Sequence, residues 1–410
     1  MNSKQLDIYI TIRDENIFLG TLFVDILRGK EIYSFEYSDI YLKSTKNLIF
    51  DKELQLTEGR QYKSDSSTLY GFLQDVIPDR WGRNLLKRKE KLSSEKENRP
   101  QITLGESDYL VGISDESRMG AIRIANHGKT DFLNNDVNDK IPSVEFIGKL
   151  EYLAYNLSSL EDKELKDLFA PGSSLGGARP KATVYDASGE MYLAKFSNRF
   201  DDYNVPGFEM LNNDLAKLVG LNVPEHRLIS SKIDDYKSIF LAKRFDRDKD
   251  KRLLYVSAMT LLGAKDGEND EYSYLDLLDL IEKYSIQPKI DTLELYKRLM
   301  FNYLIHNGDD HLRNHGFINE GKGYKLSPVF DINTVFDSDS FSLTIDGNER
   351  RYNLETILNI SKYFSFIREE AVGIYKEMKD IILKNVTPLA SKYSLHGKYL
   401  NDFINIVKNS

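Results

Sequence analysis

The spacing of apolar residues changes along the chain, and this change constrains the fold more than any other feature of the sequence. The first part contains short apolar runs around polar turns, such as LDIYITI and IFLGTLFV around RDEN. In IYSFEYSDIYL, the aromatic residues Tyr33, Phe35 and Tyr37 recur at period two, which predicts antiparallel β-structure. From residue 255 onward, apolar residues recur at helical spacing, as in YLDLLDLIEKYS and FIREEAVGIYKEMKDIILKN. The sequence therefore predicts an α+β protein with a β-rich first half and a mostly helical second half.

The length of 410 residues fits about two to three domain-sized units. We expect a β-rich N-terminal subdomain over residues 1–140, a mixed α and β part over residues 141–255, and a helical part over residues 256–410. The polar stretch HGKTDFLNNDVNDKIPS is typical of a linker and sets the first boundary. A β-rich lobe followed by a helical lobe predicts a cleft between the two.

Charge and cysteine content exclude several classes of protein. The formal net charge of −8 provides no global basic field for nucleic-acid binding, so any such contact is expected to be local or to occur through a partner. The absence of cysteine excludes disulfides, thiolate nucleophiles and the usual zinc cages. The sequence has neither a secretory signal nor an apolar run long enough for a membrane helix, so we expect a cytoplasmic protein without membrane contact.

The stretch IHNGDDHLRNHGFI, residues 305–318, contains three histidines and two adjacent aspartates. Apolar residues at helical spacing in LYKRLMFNYLIHN predict a buried helix that ends at Asn307 and Gly308. Asp309 follows on a loop, and Asn314 comes five residues later, the spacing found in the catalytic loop of protein kinases. This pattern predicts an acid/base residue and a metal ligand on one loop. A chance match on a polar loop is the alternative, because Asp-x4-Asn is common.

A second acidic residue lies at the end of the short apolar run in YKLSPVFDINTV. This residue is Asp331, seventeen positions after Asn314. Mg²⁺ prefers one or two carboxylates plus substrate phosphates to a full protein cage. Asp331 and Asn314 are therefore a chemically sufficient pair of magnesium ligands.

The stretch APGSSLGGARPKATV, residues 170–184, is rich in glycine. Glycines allow the backbone to approach an anion closely, and Arg179 and Lys181 add positive charge, a combination typical of phosphate binding. The stretch matches neither the P-loop nor the dinucleotide-binding pattern. A plain loop that enters a strand is the alternative.

The residues that follow appear in the order seen in kinases. Lys195 in MYLAKF is typical of the strand lysine that contacts nucleotide phosphates, and Glu209 in the next helix is expected to pair with it. The stretch FLAKRFDRD, residues 240–248, lies between the two halves and is expected to be a hinge that contacts adenine, with Phe245 as a wall. A surface strand with a charge pair between Asp246 and Arg247 is the alternative.

Taken in order, GSSLGGARPKA, YLAKF, FEMLNNDLAKLVGLNVP, AKRFDR, NGDDHLRNHGF and LSPVFDI resemble the HipA family of bacterial serine/threonine kinases, the toxin partners of HipB-type antitoxins. LQDVIPDRWGR and MGAIRI resemble the N-terminal subdomain of that family, so the resemblance spans nearly the whole chain. It implies a two-lobed, protein-kinase-like fold that transfers the γ-phosphoryl group of ATP to a protein hydroxyl. It also implies a cellular protein substrate, such as a translation factor or an aminoacyl-tRNA synthetase, and a HipB-like antitoxin through which DNA is contacted indirectly.

The resemblance also implies roles for individual residues. Asp309 would be the catalytic base, and Asn314 and Asp331 would bind Mg²⁺. Members of the family can autophosphorylate a serine at the start of the Gly-rich loop, which disrupts ATP binding; Ser174 matches this position, and Ser173 directly before it is the other candidate. The residues expected to bind ATP are Ser174, Gly176, Gly177, Ala178, Lys181, Lys195, Glu209, Lys243, Phe245, Asp246 and His311.

Two other functions compete with this interpretation. His311 and His315 have the i, i+4 spacing that would place two ligands of a metal-dependent phosphohydrolase on one helical face, although glycines on both sides indicate a loop. We expect His311 to orient Asp309 or its loop, His315 to pack locally, and Asp310 to be a solvated or loop-capping neighbour. The second alternative is a catalytically silent module that binds an antitoxin or repressor, although the base, the lysine and the metal ligands are all present.

Overall fold

The structure is a computed structural model that describes all residues except 1–2, 13–14, 45–47, 49, 64, 66, 135–140, 158–166, 169–178 and 250. The strands are β1 (Ser3–Ile12), β2 (Glu15–Leu27), β3 (Lys30–Tyr37), β4 (Gln61–Tyr62), β5 (Ile122–Asn126), β6 (Lys181–Tyr185), β7 (Met191–Lys195), β8 (His226–Ser230), β9 (Ser238–Lys243), β10 (Arg247–Asp248), β11 (Lys251–Arg252), β12 (Leu254–Ser257), β13 (Gly316–Asn319) and β14 (Tyr324–Leu326). The helices are α1 (Asp39–Leu42), α2 (Gly71–Gln74), α3 (Arg80–Lys96), α4 (Glu106–Gly112), α5 (Ile147–Tyr155), α6 (Val205–Leu218), α7 (Ala258–Leu262), α8 (Tyr274–Tyr284), α9 (Pro288–Ile305), α10 (Leu354–Ile360), α11 (Arg368–Lys392) and α12 (Lys398–Asn409). Within this part of the chain, no helix combines the length and apolar character needed to cross a membrane.

The chain forms two compact units. The first comprises Met1–Arg199 and Asp246–Val256, and the second comprises Phe200–Phe245 and Ser257–Ser410. The three-part division at residues 140 and 255 stays a prediction.

The first unit is built on a five-stranded sheet in the order β4-β3-β2-β1-β5, in which neighbouring strands are antiparallel. This confirms the predicted antiparallel start of the chain. The period-two aromatic residues Tyr33, Phe35 and Tyr37 are all buried. Phe35 makes edge-to-face contacts with Tyr37 and with Phe72, at ring-centroid distances of 5.1 and 5.8 Å. The alternation in the sequence therefore marks the core face of the sheet.

The segment around Pro78 is less helical than its apolar spacing indicates. Leu69, Phe72, Leu73 and Val76 recur at helical spacing and are buried, but helix α2 covers only Gly71–Gln74. The next helix, α3, begins two residues after Pro78, where Asp79 caps its first turn by accepting a hydrogen bond of 2.7 Å from the amide of Gly82. Proline removes a backbone donor and disfavours helical geometry in the residue before it, so the chain turns here instead of continuing one helix.

The second unit is mostly helical. Helices α8, α9 and α11 confirm three helical patterns read from the sequence, and α6 packs against α11. Strands β8 and β9 pair antiparallel, from His226 opposite Ala242 to Ser230 opposite Ser238. The C-terminal half of α9 is buried on all sides, which makes it a rigid support for the loop that follows.

Buried charges reinforce the first unit. Arg118 is fully buried, and its guanidinium donates to the backbone carbonyls of Leu110 and Ile113 at 2.9 and 3.3 Å. The nearby Asp115 accepts hydrogen bonds from Arg123 at 2.9 Å and from Arg252 at 3.1 Å. Burial by itself raises the pKa of Asp115, but the surrounding arginines outweigh it and hold the pKa below its ordinary value. One carboxylate thus neutralises a group of cations that would otherwise repel one another.

Asp115→Asn should lower the free energy of unfolding by about 3 kcal/mol at pH 7, because the arginines lose their shared anion while remaining largely buried. The lowered pKa means that the contribution of Asp115 is fully present above pH about 4 and is lost as the pH falls through its folded-state pKa. The difference between wild type and variant in urea denaturation should therefore shrink in acid. The exposed Asp131 provides the control, and Asp131→Asn should leave the unfolding midpoint unchanged. A difference that persists unchanged in acid would contradict this account.

Candidate active site

The hairpin formed by β13 and β14 brings the two acidic segments together. Its strands pair antiparallel, with Phe317 opposite Leu326 and Asn319 opposite Tyr324. The loop of residues 306–315, called here the Asp309 loop, precedes β13, and the segment 327–335 follows β14. Because the two ends of a hairpin are adjacent, both segments emerge at the same place. The amide of Val335 donates a hydrogen bond of 3.0 Å to the carbonyl of His306, which closes this arrangement.

The Asp309 loop starts from a sharp helix end. Helix α9 stops at Ile305, and His306 adopts the left-handed backbone with φ of +53°. The predicted stop at Asn307 and Gly308 is thus correct to within two residues, but His306 makes the reversal. Gly308 serves another purpose: a Cβ there would lie 2.7 Å from the Tyr352 hydroxyl and 2.8 Å from the backbone oxygen of Ser340. Glycine is required for close packing against the neighbouring segment.

Asp309 is exposed at the surface of the second unit. Partial burial of its carboxylate raises its pKa, His311 opposes this shift, and the negative charges of Asp331 and Asp310 add to it. The contribution of Asp331 agrees with the hairpin pairing, which brings the segment of Asp331 to the same place as the Asp309 loop. A raised pKa brings a carboxylate nearer to the range in which it exchanges protons at neutral pH. These properties fit Asp309 to accept a proton.

Asn314 is buried at the end of a single 3-10 turn, Leu312–Asn314. Its side-chain Nδ2 donates a hydrogen bond of 3.1 Å to the backbone carbonyl of Asp309, which ties the two ends of the predicted motif together. With Nδ2 bonded to the backbone, Oδ1 is the atom of this amide that would bind a metal ion. An amide oxygen is a ligand type that Mg²⁺ accepts.

Asp331 is held in an uncommon backbone conformation. Its φ is +57°, in the left-handed region that few residues other than glycine adopt. Its Oδ1 accepts a hydrogen bond of 3.0 Å from Nδ2 of Asn333. Conformations of this kind persist only where the surroundings enforce them, and they cluster at functional sites.

The donor set fits a magnesium ion. Asn314 and Asp331 provide one amide oxygen and one carboxylate, and a divalent cation would relieve the repulsion between Asp331 and Asp309. Among the residues that the structure describes, no group of three or more His, Asp or Glu side chains is arranged to hold a metal ion. The candidate pair is of a different kind, because one of its two ligands is an amide.

Two buried polar residues that the sequence analysis did not identify support the segment 327–335. Asn212 on α6 donates from Nδ2 to the carbonyl of Ile332 and to the hydroxyl of Thr334, both at 3.3 Å. Arg298 on α9 donates to the carbonyl of Ser327 at 2.6 Å. In the sequence, Asn212 and Arg298 are each a polar residue among apolar residues of a helical pattern. This pattern is too common to predict a specific contact.

The prediction for Asp310 is wrong. Asp310 is only 4% exposed, and its Oδ2 accepts hydrogen bonds from His315 Nε2 at 2.8 Å and from the hydroxyl of Tyr274. Burial by itself raises the pKa of Asp310, but His315 and Tyr274 hold the pKa below its ordinary value. His315 therefore does more than pack locally, since it is the partner of a buried carboxylate.

The helical face required by the phosphohydrolase alternative does not form. Residues 312–314 make a 3-10 turn, and strand β13 begins at Gly316. His311 and His315 therefore lack the α-helical i, i+4 presentation, and Nε2 of His315 is engaged by Asp310. This geometry argues against a pair of histidine metal ligands.

Several residues expected at the nucleotide lie in the first unit. Lys195 is half-buried at the end of β7, opposite Lys181 on β6. The Nζ of Lys181 forms a buried ion pair of 2.9 Å with Oδ2 of Asp79, and the indole of Trp81 donates to the carbonyl of Lys181 at 3.1 Å. Lys181 therefore anchors the start of β6 to the N-terminus of α3. The remaining candidates in the Gly-rich stretch lie outside the described residues, namely Ser173, Ser174, Gly176, Gly177 and Ala178.

The expected hinge residues have different surroundings. The ring of Phe245 packs on Phe330, directly before Asp331, at a centroid distance of 5.3 Å. Lys243 is half-buried at the end of β9. Asp246 is buried and accepts hydrogen bonds from the amide of Gly120 at 2.7 Å and from Arg247 at 2.6 Å. The charge pair between Asp246 and Arg247, which the sequence analysis gave as the alternative to a hinge, therefore exists. It is buried and does not lie on a surface strand.

Glu209 is buried on α6, within the second unit. Its pairing with Lys195 stays a prediction, as do the roles assigned to the other nucleotide residues.

Gly308→Ala should lower the free energy of unfolding by about 1–3 kcal/mol, because the added methyl group would collide with the backbone of Ser340. The matched control is Gly373 on α11, where no atom lies within 4 Å of an added Cβ. Gly373→Ala should stabilise the protein by about 0.5–1 kcal/mol, as expected inside a helix. Urea denaturation of the two variants measures both effects. Equal unfolding midpoints would contradict the close packing described for the loop.

Known proteins are similar to this chain in sequence or in fold. A profile of the HipA-like C-terminal domain matches residues 173–388. A Haemophilus influenzae protein named "Putative kinase" is 30% identical over 132 residues, which cover 30% of this chain and 38% of that protein. The match thus spans well under two thirds of the relative's length.

Two solved structures are similar to the chain. A chain from the Shewanella oneidensis MR-1 toxin–antitoxin complex of HipA, HipB and operator DNA has a TM-score of 0.69 at 16% identity, over 98% of this chain and 97% of that one. The Helicobacter pylori proinflammatory kinase CtkA has a TM-score of 0.41 at 15% identity, over 56% of this chain and 89% of that one. The first likeness confirms the predicted α+β fold of HipA type. Because the family profile covers more than half of the 410 residues, the chain belongs to the HipA-like C-terminal domain family.

Proposed function

We propose that the protein is a serine/threonine kinase that transfers the γ-phosphoryl group of ATP to a protein hydroxyl, with Asp309 as the general base. The observation that carries this proposal is the convergence of Asp309, Asn314 and Asp331 at one end of the β13–β14 hairpin. Membership of the HipA-like family supports it.

In the proposed reaction, the oxygen of the substrate hydroxyl forms a bond to the γ-phosphorus of ATP. Asp309 accepts the proton that this hydroxyl loses. The bond from that phosphorus to the β,γ-bridging oxygen breaks, and ADP leaves with the electron pair. Asn314 and Asp331 would hold Mg²⁺, which when bound neutralises charge on the phosphate oxygens. The left-handed backbone of Asp331 and the Asn314 hydrogen bond to Asp309 keep these groups in fixed positions before substrate arrives.

The residues that bind ATP are part of the same proposal. We propose that Lys195, paired with Glu209, contacts the phosphates, and that the hinge of Lys243 to Phe245 contacts adenine. The packing of Phe245 on Phe330 supports the assignment of the hinge. Phe245 is the residue proposed to contact adenine, and Phe330 directly precedes the proposed metal ligand Asp331. Lys181 was also expected to bind ATP. It is the weakest candidate among the expected ATP-binding residues, since its ammonium group is already paired with Asp79.

Regulation and partners are part of the same proposal. Autophosphorylation of Ser174 or Ser173 would place a dianionic group beside the nucleotide phosphates and so oppose ATP binding. A HipB-like antitoxin is the proposed partner, with DNA contacted only through it. The similar Shewanella structure contains HipA, HipB and operator DNA, which supports this pairing.

Asp309→Asn should reduce phosphoryl transfer by about 100-fold or more, because the amide keeps the shape of the carboxylate but cannot accept the proton. The measurement is incorporation of label from γ-labelled ATP into the protein itself, together with the dissociation constant for ATP, which should change little. Mass spectrometry must first establish that Ser173 and Ser174 are unmodified.

Asp279 provides the matched control, since it is an exposed aspartate on α8. Asp279→Asn should transfer the phosphoryl group at the same rate as wild type. A wild-type protein with unmodified loop serines that neither binds ATP nor incorporates label would end the proposal.

Asp331→Asn should remove most of the effect of Mg²⁺ on ATP binding. Asparagine tolerates the left-handed backbone, so the variant loses a charged ligand without new strain. Calorimetric titration of ATP with Mg²⁺ and with EDTA should show tighter binding with Mg²⁺ in wild type and in Asp279→Asn, but not in Asp331→Asn. If the gain from Mg²⁺ is unchanged in Asp331→Asn, the assignment of this ligand is wrong.

A further inference from the structure

A chain of five buried polar side chains lies beneath the Asp309 loop, and the proposed reaction does not use it. Its members are all at most 4% exposed: Asn307, Asn302, Tyr274, Asp310 and His315. Polar groups this deeply buried are costly unless each is hydrogen-bonded, so an ordered set of them needs a reason.

The hydrogen bonds run continuously from one end of the loop to the other. Asn307 Nδ2 donates to Asn302 Oδ1 at 3.0 Å, and Asn302 Nδ2 donates to the hydroxyl of Tyr274 at 3.2 Å. Tyr274 donates to Oδ2 of Asp310, which also accepts from His315 Nε2 at 2.8 Å. The chain thus leaves the loop at residue 307 and returns to it at residues 310 and 315.

Each end of the pair formed by Asp310 and His315 borders a residue of the proposed reaction. Asp310 directly follows Asp309, and His315 directly follows Asn314. Their hydrogen bond therefore joins the same two places as the bond from Asn314 to the carbonyl of Asp309. Two independent ties fix the separation of the base and the metal-ligating amide.

Tyr274 connects this pair to a rigid element. It is the first residue of α8, whose N-terminus is capped by Ser273 and Asp276 in a reciprocal arrangement. Its ring also packs edge-on against the imidazole of His315, with centroids 5.8 Å apart. The buried carboxylate is thereby held away from the surface, and of the two adjacent aspartates only Asp309 is exposed.

We propose that Tyr274, Asp310 and His315 are positioning residues that set the placement of Asp309 and Asn314 for phosphoryl transfer. This inference rests on the proposed kinase function. The three side chains act through the backbone of the Asp309 loop and do not touch the substrate.

The test compares two tyrosines that each lose one buried hydroxyl. Tyr274→Phe removes the donor to Asp310, whereas Tyr296→Phe removes a hydroxyl that donates to the carbonyl of Ile357 at 3.1 Å, also in the interior. Both should lower thermal stability to a similar extent. Only Tyr274→Phe should lower kcat, by about 10- to 100-fold, with KM for ATP nearly unchanged.

Rescue by a conservative variant separates positioning from packing. His315→Gln keeps an N–H donor near the position of Nε2, whereas His315→Leu keeps only bulk. The glutamine variant should retain at least about 10-fold more activity than the leucine variant. Equal kcat for the two His315 variants, or an equal loss for Tyr274→Phe and Tyr296→Phe, would overturn the proposal.

Hydrogen exchange of the backbone amides in residues 307–315 tests, independently of activity, whether the buried network positions the Asp309 loop. Tyr274→Phe should speed exchange in this loop, and Tyr296→Phe should not. If wild type transfers no phosphoryl group, the proposed function fails, and the exchange result alone decides whether the network positions the loop. Unchanged exchange in Tyr274→Phe would overturn the network's role in either case.

Discussion

The antiparallel pairing of β13 with β14 is the constraint on which the candidate site depends. Paired strands lie roughly 5 Å apart, so a hairpin returns the chain to its starting point within a few residues. The Asp309 loop enters this hairpin and the segment that carries Asp331 leaves it, so the pairing brings the two segments to the same place. The left-handed turn at His306 and the bond from Val335 to the carbonyl of His306 then fix how the two segments face each other.

Buried charge is the second organising feature, and it appears in both units. Asp115 is surrounded by arginines in the first unit, and Asp310 is held by His315 and Tyr274 in the second. In each case a desolvated carboxylate is tolerated because directed hydrogen bonds compensate for lost water. Such groups permit few alternative arrangements, since a shifted segment would leave a charge unpaired in the interior. Exact placement of loops is therefore achieved with polar contacts, while apolar packing provides most of the stabilisation.

Much of the fold could be read from the sequence because it follows from local periodicity. The aromatic residues Tyr33, Phe35 and Tyr37 indicate a strand by their spacing alone, and the long helical patterns correspond to α8, α9 and α11. Asp309 and Asn314 could be singled out because a fixed spacing on one loop is also a local property. Apolar spacing alone does not set the length of a helix, since Leu69, Phe72, Leu73 and Val76 recur at helical spacing while α2 covers only Gly71–Gln74.

By itself, the sequence determined the succession of elements and the candidate residues Asp309, Asn314 and Asp331, since each depends on neighbours close in the chain. Only the tertiary structure decided that Asp310 is buried while Asp309 is exposed, and that Tyr274, thirty-six residues before Asp310, provides its hydroxyl partner. Two adjacent aspartates are chemically identical in a sequence. What separates them is the environment on either side of the backbone, and that environment is built from residues distant in the chain.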